Sequence, residues 1–176
     1  MVRKLKNNEL NRPGVDEFRT STKRPVVLVL DNVRSALNTG SVFRTADAFG
    51  LEGLYLCGIT ACPPANELRK TALGAEESVN WKYFERTADA LHELREAGYA
   101  IIIIEQTDSG LLLGDWQAEP GRRYALVLGH EVNGVDEALL PLADSCLEIP
   151  QVGSKHSLNV AVSAGIVCWE LFRQLR

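Results

Sequence analysis

Short unbroken apolar runs alternate along this chain with stretches in which apolar residues recur every third or fourth position. Val26-Val-Leu-Val-Leu30 is one such run, rich in β-branched residues, and has the pattern of a strand buried on both faces. Residues 54–57, 100–104, 125–128 and 146–149 repeat it. Helical stretches lie between them. Asn38 or Thr39 is placed to cap the first, which runs to about Phe49 with Gly50 as a left-handed stop. Thr87 is placed to cap the second, where Ala90, Leu91, Leu94 and Ala97 share a face until Gly98 ends it. A third begins near Leu158, with Ser157 as its cap, and ends near Gln174.

This alternation predicts an α/β fold, a mostly parallel sheet flanked by helices. Ligands of such sheets sit beyond the carboxyl ends of the strands. The loops after Leu30, Leu128 and Ile149 are therefore where chemistry is expected. The last helix is apolar almost all round: Val160, Val162, Ile166, Val167, Trp169, Leu171 and Phe172 leave little polar face before Glu170 and Arg173. Such a helix is buried on more than one side, and a homodimer through it is the expectation.

Composition narrows the class. The 176 residues are 45% hydrophobic and 24% charged, as in one globular domain. No apolar run approaches the roughly 18 residues of a membrane span. The first residues are basic but lack the apolar stretch of a secretory signal, so a soluble, cytoplasmic protein is expected. Cys57, Cys62, Cys146 and Cys168 form no CxxC pair and read as reduced, mostly buried thiols. The net charge of −4 hides an asymmetry: residues 1–24 hold seven Lys/Arg against three acids, +4, leaving −8 for residues 25–176. The chain thus divides into a basic arm, 1–24, and one domain, 25–176. A basic arm is a phosphate-contacting element or simply a solvated terminus.

Several chemistries are excluded by motif. No GxGxxG, HExxH or GxSxG occurs, and His92, His130 and His156 are not spaced as metal ligands. Gly153-Ser-Lys155 resembles a P-loop ending, but Glu148 stands where its first glycine belongs. Three loops remain. In the first, Asn38 and Gly40 suit a tight turn into a helix whose amides face an anion, and Arg44 is two turns further on. The plainer reading is a cap, a turn glycine and a solvated arginine. In the second, Gly129 and Gly134 flank Glu131 directly after a strand, and glycine there lets a ligand approach the backbone. The third, from Ile149 through Lys155, His156 and Ser157 to Asn159, is a polar turn opening the last helix.

Together these loops carry Asn38-x-Gly40-x-x-x-Arg44-Thr45-Ala46, Leu128-Gly129-x-Glu131-x-x-Gly134, and Ile149-Pro150 followed by Ser157-Leu158-Asn159. In that combination and order the sequence resembles the SpoU (TrmH-like) branch of the SPOUT RNA methyltransferases, over about residues 25–176. The resemblance implies a C-terminal trefoil knot over about residues 125–176, a homodimer, and methyl transfer from S-adenosylmethionine to a ribose 2′-hydroxyl without a metal. It implies cofactor contacts around Gly129, Ile149 and Leu158, and around Gln106 from its place after the 100–104 strand. Arg44 is implied at the ribose, with Asn38, Glu131, Ser157 and Asn159 fixing it and the knot loops. Arginine is a poor base at neutral pH, so Arg44 reads as a clamp on phosphate and hydroxyl. The candidate RNA surface comprises Lys23, Arg24, Arg34, Arg69, Lys70, Lys155 and His156. The expected substrate is tRNA, then rRNA. A catalytically silent RNA-binding module, or an enzyme of a free nucleotide or other small acceptor, are the alternatives, the latter favoured by the net acidity.

Overall fold

The computed structural model describes residues 2–175. Seven strands build one sheet: β1 (Arg24–Asp31), β2 (Leu51–Cys57), β3 (Trp81–Phe84), β4 (Tyr99–Ile104), β5 (Leu111–Leu112), β6 (Arg123–Leu128) and β7 (Ser145–Glu148). Their order is β3-β2-β1-β6-β4-β7-β5, and every pair is parallel. The helices are α1 (Val15–Thr20), α2 (Ala36–Phe49), α3 (Asn66–Ala72), α4 (Ala75–Ser78), α5 (Thr87–Glu96) and α6 (Val160–Gln174).

The apolar runs work as expected, because successive strand residues face opposite layers. Leu28, Leu30, Leu54 and Leu126 pack with Phe43 of α2 and Val167 and Leu171 of α6. Val27, Val29, Ile101, Ile103 and Val127 face the other way, onto Leu91 and Leu94 of α5. The sheet is thus covered on both faces. Its edges escaped the sequence pattern because they are not doubly buried: Trp81, Lys82 and Tyr83 of β3 and both residues of β5 are exposed.

Helix starts differ from expectation. Ser35, not Asn38 or Thr39, caps α2, accepting the Asn38 N–H on its hydroxyl at 3.3 Å. Gly50 does end that helix, at φ 61°. Thr87 is the first residue of α5 rather than its cap, since its hydroxyl donates to the buried Asp31 carboxylate at 2.5 Å. Asn159, not Ser157, caps α6, accepting the N–H of Ala161 at 2.9 Å and of Val162 at 3.4 Å. Ser157 and Leu158 therefore lie before the helix, in an exposed segment. One face of α6 is buried through Val160, Ala164, Val167, Cys168 and Leu171, while Val162 and Trp169 are about half exposed, at 51% and 52%.

Gly40 is not a turn residue either. It sits inside α2 where α3 crosses, and a Cβ there would lie 2.1 Å from the Leu68 carbonyl oxygen and 2.3 Å from the Thr71 hydroxyl. Cys57 and Cys168 are buried, and burial pushes both thiols up to about 12, so neither is a ready nucleophile.

Since the obstacle at Gly40 is backbone, Gly40→Ala has to move α3 away from α2. We expect a loss of about 1–3 kcal/mol, read as a lowered midpoint in urea unfolding, with Gly165→Ala in α6, where nothing obstructs a Cβ, nearly neutral.

Candidate functional site

The loops after β1, β6 and β7 converge at the carboxyl ends of the strands. Among them is a cleft of about 280 Å³ whose lining includes Gln106, Gly129, Ile149 and Leu158, the four residues expected around a cofactor. Its walls also include Glu105, Glu131, Glu148, His130 and His156, and neither lysine nor arginine.

The shape of the β6 loop follows from its glycines. His130 and Gly134 exchange two backbone hydrogen bonds of 2.9 Å, closing a tight loop. A Cβ on Gly129 would come within 2.1 Å of the Gly134 carbonyl carbon, and Gly134 has φ +70°. Both positions thus need glycine. The loop is held to the end of β4 by Glu105, whose carboxylate accepts the N–H of Val135 at 3.0 Å and of Gln106 at 2.9 Å. Sequence reasoning missed Glu105. The available signal was a lone acid following the apolar run Ile101–Ile104, at a strand's carboxyl end. Asp31, also missed, does the same after β1: its carboxylate accepts the Thr87 hydroxyl and, at 3.0 Å, the Asp136 N–H.

Three of the expected functional residues form one network. Glu131 accepts the backbone N–H of Arg34 and of Ser35, each at 2.9 Å, and the Asn38 side-chain amide at 2.8 Å. Asn159 in turn donates to the Asn38 carbonyl oxygen at 3.1 Å. An anion at the start of α2 was expected, and the protein supplies it itself as Glu131. Burial works to raise the Glu131 carboxyl, but Asn38 and the amides outweigh it, and the group is held below its ordinary 4.5.

Ser157 lines the cleft but joins no part of this network. Gln106 donates its side-chain amide to the His156 carbonyl oxygen at 3.3 Å, tying the exposed segment before α6 to the end of β4. Arg44 stands apart. It is exposed, six residues beyond Asn38 and so about 9 Å along the helix axis. The expected fixing of Arg44 by Asn38, Glu131, Ser157 and Asn159 is absent within the chain, because those side chains satisfy one another or face the cleft. Arg44 instead lines a second cleft, with Lys23 and Arg24.

The remaining basic candidates are scattered. Arg69 pairs with Glu76 at 3.3 Å and Lys70 with Glu67 at 2.5 Å. Arg34, Lys155 and His156 are exposed near the first cleft. Among the described residues no group of three or more His, Cys, Asp or Glu is arranged to hold a metal, and no helix is long and apolar enough to cross a membrane.

The fold and these loops are those of a known group. The profile of the SpoU rRNA Methylase family matches residues 25–169, and the chain belongs to that family. It is 30% identical to the 23S rRNA (guanosine-2'-O-)-methyltransferase RlmB of Vibrio vulnificus, over 94% of this chain and 66% of that protein. The AdoMet-bound rRNA methyltransferase from Sinorhizobium meliloti superposes with a TM-score of 0.81 at 27% identity, covering 90% of this chain and 60% of that one. A structure solved for the 2-OH methylation of C/U34 on tRNA gives 0.74 at 27% identity, covering 86% and 97%. The chain spans 41% to 66% of the length of the first curated relatives.

Because the Glu131 carboxyl is depressed in the folded chain, its contribution is complete above pH 4.5 and is lost as the pH falls through the folded value. Glu131→Gln should cost about 1–3 kcal/mol at pH 7. The gap between the two proteins in urea titrations should narrow steadily below pH 4.5.

Proposed function

We propose that this chain is an S-adenosylmethionine-dependent RNA methyltransferase acting on a ribose 2′-hydroxyl. The observation that carries the reading is the Glu131–Asn38–Asn159 network, which ties the first motif loop to the two that line the cleft at the strand ends. The cleft suits the cofactor by its own chemistry. A sulfonium is cationic, and the wall carries Glu105, Glu131 and Glu148 without lysine or arginine. Gly129 leaves the loop backbone open to close approach. Gly129, Ile149 and Leu158 would hold the cofactor through backbone groups, with Gln106 beside them. When bound, it supplies an electrophilic methyl to the hydroxyl oxygen.

The chain's part is alignment. In-line placement of two reactants is worth up to roughly 7–11 kcal/mol, and no strong base is required of Arg44. Arg44 clamps the phosphate next to the target ribose and orients the hydroxyl, whose proton leaves toward that phosphate and solvent. Asn38, Glu131 and Asn159 act as positioning residues for the helix that bears Arg44 and for the cleft loops, and Ser157 faces the cofactor side.

Residues 1–24 form the arm and 25–176 the catalytic domain, with a knot over about 125–176. The sheet order favours that path, since β7 lies across β4 from β6 and the loop between them is fastened to Glu105 beyond β4. A homodimer through α6 would cover Val162 and Trp169, half exposed on an otherwise apolar helix. We favour tRNA over rRNA, in line with the structural relative solved for tRNA 2-OH methylation. Its compartment on this reading is the cytoplasm.

Labelled methyl transfer to fractionated tRNA and rRNA from cells lacking the gene tests the reading, the product being an alkali-resistant 2′-O-methyl dinucleotide. Cofactor binding without transfer to either fraction would favour the silent module or a small acceptor. Arg44→Ala should reduce transfer at least about a hundredfold, in the range found when an electrostatic group is removed from a reacting centre. Because Arg44 is outside the cofactor cleft, its cofactor Kd by calorimetry should stay within about twofold.

A further inference from the structure

The second cleft is the more open of the two, with about 1080 Å³ between the N-terminal arm, α2, the α3–α4 turn and the end of α6. Four cations line it, Arg12, Lys23, Arg24 and Arg44, against the acids Asp47 and Glu77. Three of these cations come from the arm, giving the cleft a local excess of two positive charges beside a body whose residues 25–176 carry −8. Asp47 already accepts the Ser78 hydroxyl at 2.5 Å. Arg12 and Arg44, by contrast, make no side-chain hydrogen bond or ion pair with any described residue.

Aromatic faces accompany these charges. The Lys23 ammonium sits 3.0 Å from the centroid of the Phe18 ring, and the Arg24 guanidinium 4.3 Å from that of Phe172. Leu73, 68% exposed, adds an apolar surface to the wall. Cations that track a phosphate chain, held in place by aromatic rings and offering guanidinium planes on which bases stack, are the chemistry of single-stranded nucleic acid recognition. The volume is at or above the top of the range for one small ligand, about 300–1,000 Å³, and so admits more than one nucleotide. The wall is recessed, which suits a strand whose bases are unpaired and splayed rather than a closed duplex.

We propose that this cleft binds the single-stranded RNA segment flanking the target nucleotide, with the arm as one wall and Arg44 at its inner end. The inference rests on the reading of the chain as an RNA methyltransferase and assigns the RNA path within it. Arg12, Phe18 and Leu73 join the RNA surface, while Arg69 and Lys70, each already paired to an acid, drop out of it.

The test is fluorescence anisotropy of 5′-fluorescein-labelled hexauridylate on the full chain, with cofactor affinity measured in parallel by calorimetry. Arg12→Glu and Leu73→Glu should each weaken RNA binding at least about fivefold, Phe18→Ala about three- to tenfold, and Lys70→Glu less than twofold. Arg12→Glu should also flatten the logarithmic salt dependence by about 0.7 for each phosphate it no longer neutralises. Cofactor Kd should not change in any of them. Wild-type RNA binding in both Arg12→Glu and Leu73→Glu would overturn the cleft while leaving the methyltransferase reading intact. Displacement of the probe by uridine monophosphate at the same affinity would reduce it to a single-nucleotide site and overturn the strand. Failure of the wild type to bind any RNA, with cofactor still bound, would overturn both this inference and the RNA substrate.

Discussion

The start of α2 leaves backbone amides without helical partners, and the carboxylate of Glu131 takes two of them from 96 and 97 residues away. Everything at the strand ends is arranged around that contact. Glu131 reaches the amides only because the loop carrying it folds tightly on itself, which requires glycine at 129 and 134. Its remaining capacity goes to Asn38, and the other end of Asn38 takes the amide of Asn159, the residue that caps α6. Each group meets an obligatory hydrogen-bonding need and thereby orients the next. Burial of the carboxylate opposes the arrangement, and the bonds to charged oxygen more than offset it.

Asp31 and Glu105 repeat the device. Each is an acid at the carboxyl end of a central strand and each accepts a backbone N–H from the segment that follows β6; Asp31 also accepts the hydroxyl of Thr87 at the start of α5, and Glu105 the N–H of the neighbouring Gln106. Glu105, Glu131 and Glu148 line the strand-end cleft, while the buried Asp31 ties α5 to the segment after β6. The three glutamates make that cleft anionic. Arg12, Lys23, Arg24 and Arg44 gather elsewhere, in the cleft under the arm. Helix α2 links the two, with Asn38 bonded to Glu131 of the anionic cleft and Arg44 lining the cationic one. The proposed action on RNA is compatible with an acidic protein when the charges are separated in this way.

The strands, the α/β class and the three loops were legible because an apolar run of five residues admits few other folds, and because parallel sheets place loops at one end by necessity. The motif residues Asn38, Glu131 and Asn159 were legible for a related reason: a polar side chain at a strand end or helix start has a bond to make. What the one-dimensional pattern does not carry is the identity of the partner. Gly40 looked like a turn and proved to be the crossing point of α3. Thr87 looked like a cap and proved to be bound to Asp31, 56 residues away. The cap of α2 is Ser35, while Asn38 bonds the distant Glu131, and the cap of α6 is Asn159, two residues beyond the expected serine.

The sequence by itself determined which segments are buried strands, which loops hold unusual polar residues, and that the charge is divided between arm and body. Tertiary structure alone decided that Glu131 serves as the anion at α2, that Glu105 and Asp31 hold the segment after β6, and that Arg44 faces the arm rather than the strand-end cleft. The reason is physical. Burial and periodicity are properties of a residue and its neighbours in the chain, whereas a hydrogen-bond partner some 100 residues away is chosen by the sheet order, which joins β1 to β6 and β4 to β7 only once the whole core has formed.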